Sequence, residues 1–133
     1  METSVKILIT TGTLVLAYGF LLGFAMGRAR MTSPTAPRQL VNLHLEALIQ
    51  GAALLGLSVA ASFSTLPSGL EETAAWLLAG GAALSLAGGT ANWLQNVDDA
   101  FKARSPGFLL QAVSGPVNTV GILILVAGVL KAL

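Results

Sequence analysis

The stretch ILITTGTLVLAYGFLLGFAMG occupies residues 7–27 and carries no charged side chain. A helix needs about 20 apolar residues to cross the hydrocarbon core of a bilayer, and this stretch has 21 residues. It is longer than the apolar region of a signal peptide, which has about 7–15 residues. We therefore expect residues 7–27 to contain a retained membrane-spanning helix.

Three further charge-free stretches, of 24, 25 and 26 residues, follow at 47–70, 73–97 and 105–130. Apolar residues make up 54% of the chain and charged residues only 10%, against roughly 25% charged residues in an average soluble domain. The pattern predicts an all-α fold, a four-helix transmembrane bundle, that forms a single domain over residues 1–133 in the lipid bilayer. The expected spans are 7–26, 40–63, 73–95 and 108–130, and Gly115-Pro116 is expected to kink or interrupt the last one.

Composition also excludes several classes of function. A bundle with so few charges is not a soluble enzyme, and a net charge of +1 provides no basic patch for nucleic acid. Cysteine is absent, so the chain has no disulfides, no thiolate nucleophile and no ligands for an iron–sulfur cluster.

The basic residues beside the spans are unevenly distributed. Five lie in the loops 28–38 and 98–107, whereas the other side has Lys6, Lys131 and an acidic loop at Glu71-Glu72. Because cytoplasmic loops carry an excess of Lys and Arg, we expect these two loops to be cytoplasmic and both termini external. The expected location is a bacterial inner membrane, as a multi-pass protein.

Small residues follow one face of the first span, at Gly12, Gly19, Gly23 and Gly27. Stripes of this kind let helices approach closely in lipid, so we expect a self-associating interface here. The third span has a similar stripe of Gly81, Ser85 and Gly88, which continues to Asn92 and Asn96.

Polar side chains converge at one end of the bundle. Because successive spans run in opposite directions, the same leaflet receives His44, Glu46, Gln50, Asn92, Gln95, Asn96, Gln111 and Asn118. Polar groups are costly in lipid and are usually functional there. The convergence predicts a ligand or cofactor pocket that opens towards one face of the membrane.

Several roles remain open for these side chains. His44, the only histidine, is a candidate axial haem ligand, a proton carrier, or a residue bonded to a backbone carbonyl; a zinc or di-iron site is not expected. Glu46 lies about 200° around the helix from His44, and we expect it to pair with Arg38 or Arg28. Asn92 and Asn96, at i and i+4, are expected to share a helix face. Their two amides could bind one ligand, or they could form hydrogen bonds to a neighbouring helix. Tyr18 is expected to be a packing residue whose hydroxyl needs a partner.

In several of these residues and the segments around them, the chain resembles the hydroxylaminobenzene mutases, small four-span membrane enzymes related to the styrene oxide isomerases. The resemblance extends loosely over nearly the whole chain. It is carried by Pro37-Arg38, His44-Leu45-Glu46, Gln50-Gly51 and Gly89-Thr90-Ala91-Asn92.

The resemblance implies an isomerase that converts an aryl hydroxylamine to a 2-aminophenol, a reaction of aromatic-compound degradation, without an external redox partner. It also implies a haem b held between protomers of a homo-oligomer, with a trimer as one option. His44 would ligate the iron, Gln50 would lie beside the cofactor, and Gln50, Asn92 and Asn96 would orient the substrate. The related epoxide isomerases have a Tyr where this chain has Asn96, which favours the mutase.

Two other functions are compatible with the sequence. One keeps the fold and the haem but isomerises epoxides to aldehydes. The other is a non-catalytic four-span transporter or assembly protein, although the absence of a mid-span carboxylate argues against proton-coupled transport.

Overall fold

The computed structural model describes residues 1–133 and contains four long helices and one short helix. They are α1 (Thr3–Thr32), α2 (Arg38–Ser62), α3 (Ser68–Leu94), α4 (Ala100–Ala103) and α5 (Pro106–Ala132). The four long helices are each long and apolar enough to cross a membrane, and the chain contains no strand. The prediction of an all-α, four-span bundle is confirmed, with helices that extend a few residues beyond most of the expected spans.

The structure shows neither an interruption of the last span at Gly115-Pro116 nor a loop at Glu71. The helix α5 runs without interruption through Pro116. Hydroxyl groups on either side of the proline donate to backbone carbonyls, from Ser114 to Gln111 at 2.8 Å and from Thr119 to Gly115 at 2.9 Å. Glu71 does not lie in a loop, because α3 begins at Ser68 and buries Glu71 in its first turn.

The helix α3 occupies the centre of the bundle. It packs along α5 and also contacts α1 and α2, whereas α1 packs chiefly on α2 and α2 has little contact with α5. Leucine and alanine side chains of all four long helices form the core. Large apolar side chains such as Leu14, Phe20 and Phe24 remain 64–77% exposed on the outer faces, as expected of surfaces that contact lipid.

The glycine stripe of α1 is used within the chain. A Cβ atom added to Gly12 would lie 3.0 Å from the carbonyl oxygen of Gly51, and one added to Gly19 would lie 3.3 Å from Cβ of Ala47. At Gly23 the added atom would lie 3.2 Å from the imidazole of His44, and only Gly27 faces open space. Three of the four glycines therefore serve the α1–α2 contact rather than the self-association expected from the sequence.

Hydrogen bonds between elements fix the relative ends of the helices. Nε2 of Gln39 donates to the carbonyl of Val97 at 2.9 Å, which joins the start of α2 to the α3–α4 connection. At the other end, the backbone N–H of Thr65 donates to the carbonyl of Gly128 at 3.5 Å. The starts of α2 and α5 and the end of α3 therefore lie at the same end of the bundle, where the polar side chains were expected.

Candidate functional site

The carboxylate of Glu46 lies inside the bundle and is surrounded by neutral donors. Its Oε1 accepts hydrogen bonds from Nε2 of Gln50, at 2.9 Å, and from the hydroxyl of Ser85. Its Oε2 accepts one longer bond, 3.4 Å, from Nε2 of Gln111. The donors come from α2, α3 and α5, so the carboxylate connects three helices.

A second set of hydrogen bonds extends this cluster to the start of α5. Oε1 of Gln111 accepts from Nδ2 of Asn92 at 3.3 Å, and Oδ1 of Asn92 accepts from the hydroxyl of Ser105 at 2.6 Å. The oxygen of Ser105 in turn accepts from the backbone N–H of Phe108 at 3.0 Å, which makes it the N-cap of α5. We call the connected side chains Glu46, Gln50, Ser85, Asn92, Ser105 and Gln111 the Glu46 network.

Glycines on α3 provide the space for this network. A Cβ atom on Gly88 would overlap the carbonyl of Gly107 and would approach Cγ of Gln111 to 2.7 Å. A Cβ atom on Gly89 would lie 3.5 Å from Nε2 of Gln111. The α3 stripe seen in the sequence thus packs α5 closely enough for amides of α5 to reach the carboxylate on α2.

The expected ion pair of Glu46 with Arg38 or Arg28 is absent. Arg38 is the first residue of α2, eight residues and so about 12 Å along the axis from Glu46, and both arginines are exposed. Glu46 points into the bundle instead, where hydrogen bonds from uncharged groups replace an ionic partner. A carboxylate held in this way keeps its oxygens available for a proton or a ligand.

His44 lies on a different face of α2. Its Nδ1 is 2.7 Å from the carbonyl oxygen of Gly19 on α1, and its ring is half-buried against Gly23. Because a carbonyl can only accept, Nδ1 carries a proton here, and Nε2 is the ring nitrogen that this contact leaves unused. The expectation that His44 and Glu46 occupy different faces is confirmed, and consequently His44 is separate from the Glu46 network within one chain.

Asn96 does not share a helix face with Asn92. The helix α3 ends at Leu94, and Asn96 has a φ of 51°, in the left-handed region. Its N–H donates to the carbonyl of Trp93, and that of Val97 donates to the carbonyl of Asn92. This is the Schellman arrangement that commonly ends helices, in which Asn is one of the few residues that tolerate the left-handed position. Asn96 is exposed and terminates α3, whereas Asn92, 1% exposed, belongs to the network.

Two cavities adjoin the Glu46 network. The first, which we call the end cavity, has a volume of about 430 Å³ and is lined by polar and charged side chains that include Glu46, Gln111, Arg38, Asp98 and Asp99. The second, which we call the seam cavity, has a volume of about 150 Å³ and lies between α2 and α5 over α3. Six apolar side chains and the amides of Gln50 and Asn118 line the seam cavity.

Tyr18 has the partner that its hydroxyl requires. Its oxygen lies 2.7 Å from Oγ1 of Thr90, which itself donates to the carbonyl of Leu86 at 2.6 Å. Thr90 uses its only proton on Leu86, so Tyr18 is the donor to Thr90. The hydrogen bond joins α1 to α3 two residues from Asn92.

Of the residues expected at a site, the structure brings together Gln50 and Asn92 through the Glu46 network and leaves His44 and Asn96 outside it. Sequence reasoning missed Ser85 and Ser105 as network members, and it assigned Glu46 to the membrane edge. The i and i+4 spacing of Glu46 and Gln50 was the available signal. The chain matches no protein-family model, no curated protein and no solved structure.

Proposed function

We propose that the protein is a membrane isomerase that converts small aryl hydroxylamines to 2-aminophenols. The observation that carries the proposal is the Glu46 network, a carboxylate held by neutral donors inside an apolar bundle, beside a cavity of mainly apolar lining. Ionisable and polar side chains are costly inside a membrane and commonly mark functional sites there. The resemblance of residues 37–51 and 89–92 to the hydroxylaminobenzene mutases supplies the reaction.

The proposed reaction is balanced without a redox partner. The N–O bond of the hydroxylamine breaks, a C–O bond forms at the ortho carbon, and the ortho proton is transferred to nitrogen. Oε2 of Glu46 is suited to carry this proton, because it accepts only the 3.4 Å contact from Gln111, whereas Oε1 accepts two hydrogen bonds. Proton transfer by a positioned side chain typically contributes about 10²–10⁴-fold to a rate.

The amides of the network have a positioning role in this proposal. Nε2 of Gln50 is fixed by Glu46, and Asn92 fixes Oε1 of Gln111. Side chains that are held by other hydrogen bonds orient a substrate at little further entropic cost. The surrounding leucines and alanines keep water away from the reactive nitrogen species that N–O cleavage produces.

The imidazole of His44 fits the haem b that the resemblance implies. Ligating histidines usually donate their second ring nitrogen to a carbonyl or carboxylate, and Nδ1 of His44 has such a partner in Gly19. His44 would therefore hold the iron through Nε2, and ferric haem would supply a Lewis acid for the N–O oxygen. No group of three or more His, Cys, Asp or Glu side chains is arranged to hold a metal ion without a porphyrin.

We further propose that the enzyme is a homo-oligomer, for which a trimer is one option. His44 faces α1 whereas Gln50 faces the Glu46 network, so one chain cannot direct both at the same substrate. A neighbouring copy can supply the missing half of the site. Co-expression of His44→Ala and Gln50→Leu chains is expected to restore activity that neither variant has alone. Absence of complementation, with mixed oligomers shown by two affinity tags, would contradict a shared site.

The activity has a direct test. Purified protein in detergent is incubated with phenylhydroxylamine labelled with ¹⁸O, and the expected product is 2-aminophenol that retains the label. Glu46→Gln is expected to lower kcat by about 10²-fold or more, whereas Gln95→Leu, which changes an exposed amide at the end of α3, serves as the control. Unchanged substrate, or product oxygen derived from water, would rule out the intramolecular transfer.

The cofactor has a separate test. After expression with ample haem, the purified protein is expected to show a Soret band that His44→Ala removes and Asn96→Ala does not. A band of equal intensity in His44→Ala would assign the iron to another ligand. Styrene oxide as substrate distinguishes the epoxide isomerase, which would produce phenylacetaldehyde.

One observation favours a second candidate function, proton-coupled transport. Glu46 is a carboxylate inside the bundle and lines the end cavity. The argument against proton-coupled transport assumed that no carboxylate lies within a span, and the position of Glu46 removes that assumption. In proteoliposomes a transporter would show solute flux that depends on a pH gradient and on Glu46, with no chemical turnover. The isomerase proposal expects turnover in detergent, where no gradient exists.

The orientation in the membrane is also a proposal, with loops 28–38 and 98–107 in the cytoplasm of a bacterial cell. The chain lacks cysteine, so single cysteines introduced at Thr35 and at Ser68 report one side each. An impermeant maleimide added to intact spheroplasts is expected to label Ser68→Cys and not Thr35→Cys. The reverse result would invert the topology.

A further inference from the structure

Asn118 carries an amide without a hydrogen-bond partner in the middle of a span. It is the thirteenth of the 27 residues of α5. The other uncharged polar side chains of α5, Gln111, Ser114 and Thr119, each form a hydrogen bond within the chain. The amide of Asn118 forms none, although its side chain packs against Gly81. Unpaired polar groups are costly at the centre of a bilayer, so this amide needs a partner from outside the chain.

The amide of Asn118 is open to the surface of the bundle. The only buried side-chain atoms without a partner are Oγ of Ser4 and Oε1 of Gln50, so the unpartnered amide atoms of Asn118 are accessible. Its half-buried side chain lines the seam cavity, where α2 and α5 have little contact with each other. The neighbouring lining residues Ala53 and Ile122 are exposed. Asn118 can therefore be reached from the side of the bundle, within the apolar spans.

Small residues surround Asn118 on this outer surface. Gly56 on α2 and Gly115 on α5 are exposed, and a Cβ atom added to either would have no atom within 4 Å. Small residues let helices approach closely in lipid, where polar side chains form hydrogen bonds between helices. The outer face of α1 instead exposes large side chains such as Phe20. We call the surface formed by five residues on α2 and α5 the seam face: Ala53, Gly56, Gly115, Asn118 and Ile122.

The depth of Asn118 in the membrane favours a second copy of the chain as its partner. Copies that share one orientation place Asn118 at the same depth. A carboxamide both donates and accepts hydrogen bonds, so amides of two copies that meet beside a rotation axis along the membrane normal satisfy each other. Acyl chains have neither donor nor acceptor and leave the amide unpaired.

We infer that the seam face is the contact between copies of this chain, with the rotation axis close to Asn118 and the amides of neighbouring copies hydrogen-bonded to each other. The inference rests on the proposed function only for the idea that copies associate; the choice of surface comes from Asn118. It places the contact away from the glycine stripe of α1, of which three members pack against α2.

Cysteine cross-linking in native membranes tests which surface copies share. The chain has no cysteine, so each variant has a single thiol. Oxidation is expected to cross-link copies of Asn118→Cys and of Ile122→Cys, one turn further along α5. Two exposed positions on other helices, Gly80→Cys on α3 and Phe20→Cys on α1, should give no cross-linked pairs. Cross-linking at Gly80→Cys or Phe20→Cys without cross-linking at Asn118→Cys would overturn the inference.

Energy transfer between copies in liposomes measures the strength of association, with donor and acceptor dyes on Thr35→Cys. Asn118→Leu, which nearly keeps the side-chain volume, is expected to lower the association constant about threefold for each hydrogen bond lost. Gly56→Leu should lower it by about tenfold or more, because a large side chain prevents close approach. Thr119→Val, whose hydroxyl is bonded within its own helix, and Gly80→Leu are the matched controls and should leave it unchanged. Equal effects of Gly56→Leu and Gly80→Leu would contradict the seam face.

The interface and the proposed function can fail separately. Association through the seam face without turnover of phenylhydroxylamine keeps the interface and rejects the isomerase. Turnover by chains that stay monomeric at every protein-to-lipid ratio keeps the isomerase and rejects the interface. Cross-linking of Asn118→Cys without complementation between His44→Ala and Gln50→Leu keeps the interface and rejects only a site shared between copies.

Discussion

Two adjacent glycines of α3 provide the sharpest test of how the bundle packs. Gly80 is exposed and an added Cβ atom would have nothing within 4 Å, whereas a Cβ atom on Gly81 would overlap Oδ1 of Asn118 and lie 3.0 Å from its Nδ2. A Gly→Ala substitution therefore adds a methyl group in open space at position 80 and against the side chain of Asn118 at position 81.

The expected magnitudes follow from two opposing contributions. Alanine is favoured over glycine in a helix by about 1 kcal/mol, so Gly80→Ala should leave stability unchanged or raise it by up to that amount. Gly81→Ala gains the same propensity but forces Asn118 away from α3, and overpacking typically costs about 1–3 kcal/mol. We expect a net loss of up to about 2 kcal/mol for Gly81→Ala.

The assay is equilibrium unfolding by SDS in mixed micelles, followed by helical circular dichroism. A double-mutant cycle with Asn118→Ala isolates the contact, because the shortened side chain leaves room for the new methyl group. The double variant should recover at least 1 kcal/mol relative to the sum of the single variants. Equal destabilisation by Gly80→Ala and Gly81→Ala, or additive effects in the cycle, would refute the close α3–α5 packing described above.

Three further predictions concern hydrogen bonds. Tyr18→Phe removes the bond to Thr90 and should lower the SDS unfolding free energy by about 0.6 kcal/mol, the average for such bonds in membranes; a loss above about 2 kcal/mol would indicate a larger role for the hydroxyl. Ser105→Ala removes both the N-cap of α5 and the donor to Asn92, so the loss should be greater, about 1–2 kcal/mol, and amide exchange in the first turn of α5 should accelerate. Glu46→Leu leaves three donors without an acceptor and should cost about 2 kcal/mol or more by the same micelle titration; a stabilised variant would show that the carboxylate is kept for function alone.

Much of the candidate site was predictable as a region but not as a set of contacts. The polar residues of the second, third and fourth spans do gather at one end, as the antiparallel order of spans requires. Glu46 was misassigned because an acidic residue eight positions after Arg38 can turn either to the interface or into the bundle. Only the rotation of α2 about its own axis decides between the two.

Asn96 illustrates a different limit. Spacing of i and i+4 implies a common face only if the helix continues, and the sequence offered Trp93 and Gln95 as ordinary helical residues around it. Asn96 adopts the left-handed conformation, and α3 ends at Leu94, two residues before it. Asparagine near a predicted helix end is a recognised signal for this cap. The prediction instead followed the small and polar residues of α3, whose spacing continues to Asn96.

The sequence by itself determined the class of protein, because the length and hydropathy of a span are properties of a single segment in lipid. Each of the four charge-free stretches is long enough, as a helix, to cross the hydrocarbon core of a bilayer. Their number therefore predicts four spanning helices. The tertiary structure alone decided which side chains meet: Glu46 with Gln50, Ser85 and Gln111, but His44 with Gly19 on the opposite face of α2. Helices that are apolar on nearly every side carry no amphipathic stripe to indicate their inward face. Their rotation is therefore set by the close contacts of glycines with neighbouring helices and by the need to satisfy each polar group within the bundle.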